Sequence, residues 1–418
     1  MKSICVGLLI ISGMIASARG EGIRTDINPA LRYWEAFMMT QNVKQAIRDQ
    51  LNTNEWRGQP LPANFEELVS AYNQQFRLIR AAAKSETPCD WGLDLSEGPE
   101  SLLPHLAVAK GLSRVARLRA MWDLQNKKPD EARDDLLATL ALARNVSRDG
   151  VLISAIVQIA MENILISTVA ENFYQFPPET LKQLEDGFES APARGTVAQA
   201  VTTGERWFYT WFVQKVQDAR KQHPRDEAAA MADIRAIFRK VLTSGDEKNP
   251  SDPTDKMLEA AGGTSEGLLT LLGELPPVYD RATAILALPR KEYEAQIGPF
   301  EAEIKASRNP FITELFPSLI KCRQRELVIQ AKLAMLRAAV KYKLGGDTGF
   351  NSVIDPLGDG PFLRQRFVFA GVDRGFQLKS AYGGQIFPEV MIFVEKAGTP
   401  FVVDGKHAGE AAPKPDGK

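Results

Sequence analysis

The sequence predicts a mainly helical protein, an irregular array of antiparallel helical hairpins closed by a small C-terminal β-rich module. From about residue 28 to residue 343, apolar side chains recur at three- and four-residue steps, the spacing of one helix face. After Gly345-Gly346 the pattern changes to short apolar runs separated by glycine, as in strands and tight turns. No second copy of any segment appears at a period of about 34 residues, so the helices do not form a stacked repeat.

The chain has 418 residues, with 51 Lys+Arg against 52 Asp+Glu, three histidines and three cysteines. That near-neutral balance gives no basis for counterion-driven binding to nucleic acid, and no nucleic-acid partner is expected. Three scattered histidines, none in H-E-x-x-H spacing, exclude a His₃ zinc site. No dinucleotide or P-loop fingerprint and no CxxC is present, so no cofactor and no metal are expected.

Lys2, the apolar run Ile4 to Ile15 and the small residues Ala16-Ser17-Ala18-Arg19-Gly20 read as a secretory signal peptide over 1–20. The protein is therefore expected to be exported, to the periplasm or beyond, with no stable membrane span after cleavage. Cys5 leaves with the signal. Cys89 and Cys322 remain as candidates for one disulfide in an oxidising compartment, the alternative being two independent buried thiols.

A helical domain is expected over 21–344. Asn28-Pro29 starts a helix in the N-cap and N1-proline manner, with Tyr33, Ala36, Phe37 and Ile47 on its apolar face to about Leu51. A second begins near Asn64. After the loop Thr87 to Gly92, helices from about Ser101 to Leu124 and Pro129 to Arg148 form a hairpin. Val151 to Phe173 is apolar nearly all round and reads as a central buried helix; Gln158, Glu162 and Asn163 argue against its crossing a membrane. Thr196 to Gln222 is a long helix carrying five aromatics in Trp207 to Phe212, too many for one face. Ser244 to Thr254, with Gly245, Asn249-Pro250 and Asp252-Pro253, is the best candidate for a mobile loop or domain boundary. The last helix is expected over Pro317 to Lys343, with Leu327, Ala331, Met335, Ala338 and Tyr342 as its apolar stripe. Strands are expected at Phe362 to Phe369, Phe376 to Ser380 and Val390 to Val394, inside a β-rich module over 345–405, followed by a disordered tail over 406–418.

Few side-chain sets suggest chemistry. Gly263-Thr264-Ser265-Glu266-Gly267 matches the nucleophile-elbow pattern but follows a helix, and the only later histidine is His407, so helix capping explains it better. Cys89-Asp90-Trp91-Gly92-Leu93-Asp94, with His105 beyond, contains an acid pair, an aromatic platform and a thiol. The structural reading has Trp91 plugging the hairpin mouth, Asp90 and Asp94 capping turns, and His105 sharing an apolar face with Val108, Ala109, Leu112 and Val115. Glu162, alone in an apolar helix, needs a partner, and Arg117, Arg119, Arg144 and Arg206 are available. Arg206 also flanks the aromatic run, which core packing explains more readily than a groove. Asp90, Trp91, Asp94, His105, Glu162 and Arg206 are thus the candidate ligand-binding residues. Asp355-Pro356-Leu357-Gly358-Asp359-Gly360 lacks the acidic run of a calcium loop.

The stretch from Tyr342 through Asp355-Pro356-Leu357-Gly358-Asp359-Gly360-Pro361-Phe362-Leu363-Arg364 to Gly375-Phe376-Gln377-Leu378-Lys379-Ser380 resembles the end of type II secretion pseudopilins. There a helix is followed by a D-P-x-x-G-x-P turn and two strands. With the signal peptide, the long helices, and motifs such as Cys89-Asp90-Trp91 and Leu103-Pro104-His105-Leu106, the chain also resembles a family of uncharacterised exported bacterial proteins. Neither resemblance implies an activity or site residues. The expected function is a periplasmic binding or interaction module without catalysis, its partner a protein or small molecule. The competing reading is an all-α hydrolase or lyase using carboxylates among Asp90, Asp94 and Glu162, which requires these to converge in one acidic pocket. A third, a structural envelope protein, predicts an exposed apolar patch and no pocket.

Overall fold

The computed structural model describes residues 26–40, 44, 60–242, 252–358, 360–369, 371–382 and 390–397. The signal peptide, most of the 244–254 loop and the C-terminal tail expected from sequence lie outside these residues, as does the continuation of the first helix to Leu51. Within them the chain is mainly helical, with one three-stranded antiparallel sheet near its C-terminal end.

The front of the chain folds as α1 (Pro29–Thr40), α2 (Phe65–Ser70), α3 (Asn73–Ala83), α4 (Pro104–Gln125), α5 (Pro129–Val146), α6 (Leu152–Glu171) and α7 (Pro178–Ser190). Proline opens α4, α5 and α7, where its missing N–H has no helical partner to lose. Asp130 and Glu131 in the first turn of α5 and Arg144 in its last complement the helix dipole. By length and composition α6 can cross a membrane. Here it packs against α4, α5 and α15, and its Gln158 and Glu162 are fully buried.

The second part begins with α8 (Val197–Ala200), capped by a reciprocal Thr196–Gln199 box, and passes through a π-turn, Val201–Glu205, into α9 (Arg206–Gln222). It continues with α10 (Glu227–Leu242), α11 (Thr254–Ala260), α12 (Ser265–Gly273), α13 (Leu275–Leu286) and α14 (Arg290–Ala306). Gly262 and Gly263 separate α11 from α12, and the Thr264 hydroxyl accepts from Gly267 N at 3.1 Å, so the elbow-like motif is a helix cap.

The last helix, α15 (Pro310–Asn351), starts seven residues earlier than the periodicity predicts, because the Asn309 side chain caps Phe311 N at 3.0 Å and Pro310 occupies the first turn. It also outlasts its expected glycine stop. Gly346 breaks the helical geometry at φ 60, ψ −150, and the chain then resumes a helix to Asn351.

Two cores result. One gathers α1 and α3 to α7 with the C-terminal half of α15 and the inner face of the sheet. The other gathers α8 to α14 with the N-terminal half of α15. Thus α15 threads both: Phe316 and Leu327 lie in the second, Met335 and Val340 in the first. The sheet, ordered β1 (Leu363–Phe369), β2 (Val372–Lys379), β3 (Val390–Val394), is no separate unit. Phe376 and Phe393 meet Phe173 with ring centroids 6.2 and 5.4 Å apart. The Asp355 turn is tied to the end of β2: its carboxylate accepts from Leu357 N at 2.9 Å and from the Ser380 hydroxyl.

Of the two readings left open for the cysteines, the structure carries the independent thiols: Cys89 and Cys322 are free and form no disulfide. Cys89 belongs to the first core and Cys322 packs against the second, so the two cysteines are held in different clusters.

Candidate functional site

The Cys89 to Asp94 loop is built around Trp91. Asn28 clamps it from both sides, donating to Asp90 O at 2.6 Å and accepting from Asp90 N at 3.1 Å. Trp91 then points inward, its Nε1 donating to Asn145 O at 2.7 Å near the C-terminal end of α5. Tyr33 and Phe37 stack on the indole with centroids at 5.7 and 5.9 Å, and Trp34 meets it edge-on at 5.6 Å. His105 lies 4.7 Å from it, fully buried, with Nε2 3.3 Å from Asp149 Oδ2 and neither ring nitrogen in hydrogen-bond geometry. Burial pushes the Cys89 thiol up to about 12, and Asp90 adds to the shift, so Cys89 is protonated and a poor nucleophile.

The two acids of that loop face outward. Asp90 accepts from Gly92 N at 2.9 Å and Asp94 from Ser96 N at 2.9 Å, each closing a local turn. The Ser96 hydrogen bonds hold the Asp94 carboxyl below its ordinary range.

Glu162 lies elsewhere, fully buried on α6 between two arginines. Arg144 Nε reaches it at 3.2 Å and Arg194 Nη2 at 2.8 Å. Arg144 also donates to Ala191 O at 3.2 Å and Pro192 O at 3.0 Å. One turn earlier, Gln158 exchanges hydrogen bonds with Gly195, at 3.0 Å to its N and 3.3 Å to its O. Together these groups pin the 191–195 strap against α6, and thereby fix where α7 ends. Of the other arginines named from sequence, Arg117 pairs with Glu171 at 2.7 Å, Arg119 with Asp135 at 2.7 Å, and half-exposed Arg206 with Asp280. Asp90, Asp94 and Glu162 therefore belong to three networks with no shared partner.

Beside the pinned strap lies a cleft of about 450 Å³ between α7 and α15, floored by α6 and closed at one end by residues 352–354. Leu184 and Phe188 of α7 face Leu336 and Val340 of α15, with Val169 and Val353 completing the walls. Charges line its mouth. Arg337 pairs with Glu189 at 2.7 Å and approaches Glu185 at 3.4 Å, while Lys341 lies 3.2 Å from Glu185. The Glu185 side chain is buried, and its oxygens accept no hydrogen bond. Of the residues that line this cleft, only Arg144 was noticed in the sequence, and then as a partner for Glu162. The available signal was a second apolar edge on α15, Leu333, Leu336 and Val340, flanking the Leu327 to Tyr342 stripe.

Beside the aromatic run, next to Arg206, lies a further buried acid. Glu205 closes the π-turn with no ion-pair or hydrogen-bond partner among the described residues, and burial pushes its carboxyl up to about 7. It also helps raise the Tyr279 phenol and the Cys322 thiol, which burial chiefly lifts. Among the described residues no group of three or more His, Cys, Asp or Glu side chains is arranged to hold a metal ion. No known protein family, no curated protein and no solved structure matches this chain.

Proposed function

We propose that the protein is an exported binding module, acting in the periplasm or outside the cell, that holds an apolar ligand in the α7–α15 cleft without chemically altering it. The observation that carries this reading is the cleft itself. Its volume of about 450 Å³ falls within the usual range for ligand pockets, and its walls are apolar with a few charged groups at the mouth. Export rests on the signal-like Lys2 to Gly20 segment. The hydrolase reading needs carboxylates that act together, whereas Asp90 and Asp94 close surface turns and Glu162 is ion-paired with two arginines.

Titration of residues 21–418 with the neutral apolar dye Nile red tests the proposal. The expected result is saturable fluorescence enhancement with one site per chain, lost in Ala334→Phe, which places a ring in the cleft from a partly exposed position on α15. Binding that is undiminished in Ala334→Phe would place the ligand elsewhere.

A further inference from the structure

Taking the cleft as the ligand site, the charges around it restrict what the ligand is. Arg144, in its depth, is already satisfied by Glu162 and by the carbonyls of Ala191 and Pro192, at 3.2, 3.2 and 3.0 Å. At the mouth, Arg337 meets Glu189 at 2.7 Å and Glu185 at 3.4 Å, and Lys341 meets Glu185 at 3.2 Å, two charges of each sign. Arg144 and Arg194 together exceed Glu162 by one positive charge, but Arg144 is spent on three acceptors within the protein, and at the mouth, where a head group would sit, the charges balance, so that adding an ion to this partly dehydrated set is unfavourable.

One polar capacity does remain. Glu185 is buried, with 4% of its side chain exposed, and it accepts no hydrogen bond although Arg337 and Lys341 lie close to its Oε1. Arg337 is about half exposed, so its hold on Glu185 is weak and its side chain can swing into water. A donor entering beneath Arg337 would supply the hydrogen bond that Glu185 lacks.

We propose that the ligand is an uncharged, largely hydrocarbon molecule carrying one hydroxyl or amide N–H donor, with the hydrocarbon between α7 and α15 and the donor on Glu185. The volume of about 450 Å³ is about three times the ~150 Å³ of an apolar cavity that accepts benzene, room for a chain or fused rings rather than a single ring.

Three probes with one ten-carbon tail and different heads, 1-decanol, decanoate and decylamine, test this by calorimetry on the wild type, Glu185→Gln and Ala334→Phe. The wild type is expected to bind decanol at least about tenfold more tightly than either ion, the scale of a hydrogen bond to a charged group. In Glu185→Gln the order should invert towards decanoate, because Arg337 and Lys341 then outnumber the acids. Ala334→Phe should lose all three. If an ionic probe binds the wild type most tightly, or Glu185→Gln leaves the order unchanged, the ligand class is wrong while the cleft remains a binding site. If no probe binds the wild type, or Ala334→Phe binds all three as the wild type does, the cleft is not the site and both proposals fall.

Discussion

At the scale of single residues, the buried charges separate structural groups from adjustable ones. Glu162→Gln removes the counter-charge of Arg144 and Arg194 and leaves them facing each other in the interior, so a loss of about 3–5 kcal/mol is expected on denaturant unfolding. Asp90→Asn, which alters an exposed turn acceptor and keeps an oxygen in place, should cost under about 1 kcal/mol in the same assay. Glu205 behaves differently. The native chain holds its proton up to pH about 7, the unfolded chain only to about 4.5. Between those values the unfolded state binds fewer protons, so stability falls as pH rises and stays lower above 7. Glu205→Gln should therefore match the wild type near pH 4 and exceed it by roughly 2–3 kcal/mol at pH 8. A difference that does not change with pH would mean that Glu205 is ionised in the native state. Trp91 and Glu162 were legible in the sequence because a lone tryptophan beside turn acids and a lone acid in an apolar helix have few stable arrangements. Arg194 was not, because it lies in a proline-punctuated strap with no period to place it.

At the scale of elements, periodicity located the helices well and their ends less well. The start of α15 is set by Asn309 and Pro310, a local cap upstream of the apolar stripe, and its expected stop at Gly345-Gly346 is only an interruption. Gly346 occupies a backbone region that side chains rarely enter, at φ 60 and ψ −150, while nothing lies within 4 Å of where a Cβ would sit. Gly346→Ala should thus cost about 1–3 kcal/mol through backbone strain alone, measured by thermal unfolding. A neutral result would mean that the interruption relaxes into continuous helix. At Gly98 the constraint is contact. Its φ is +68, and a Cβ there would fall 2.4 Å from the Trp211 ring, so this glycine lets the 98–100 turn lie against α9. The cleft belongs to this scale too. It is formed by the flank of α15 adjacent to the stripe that periodicity singles out, and a flank becomes a pocket only where α7 faces it across a gap. No single segment encodes that spacing.

At the scale of the whole molecule, α15 is the element common to both cores, and the sheet extends the first of them. Composition and the change from helical to strand patterning near residue 345 were enough to anticipate a mainly helical fold with a small β-rich part. They could not show that Phe376 and Phe393 would join Phe173, because such contacts link residues about two hundred positions apart. With Cys89 and Cys322 in separate clusters, the melting temperature should be the same with and without reductant; a fall on reduction would indicate a bridge.

The most direct measurement of the binding proposal is hydrogen exchange on residues 21–418 with and without saturating Nile red. Slower exchange confined to α7, Pro178–Ser190, and to the facing part of α15 around Leu333 to Val340 is the expected result. Protection centred instead on the Trp91 loop, with α7 unchanged, would contradict it.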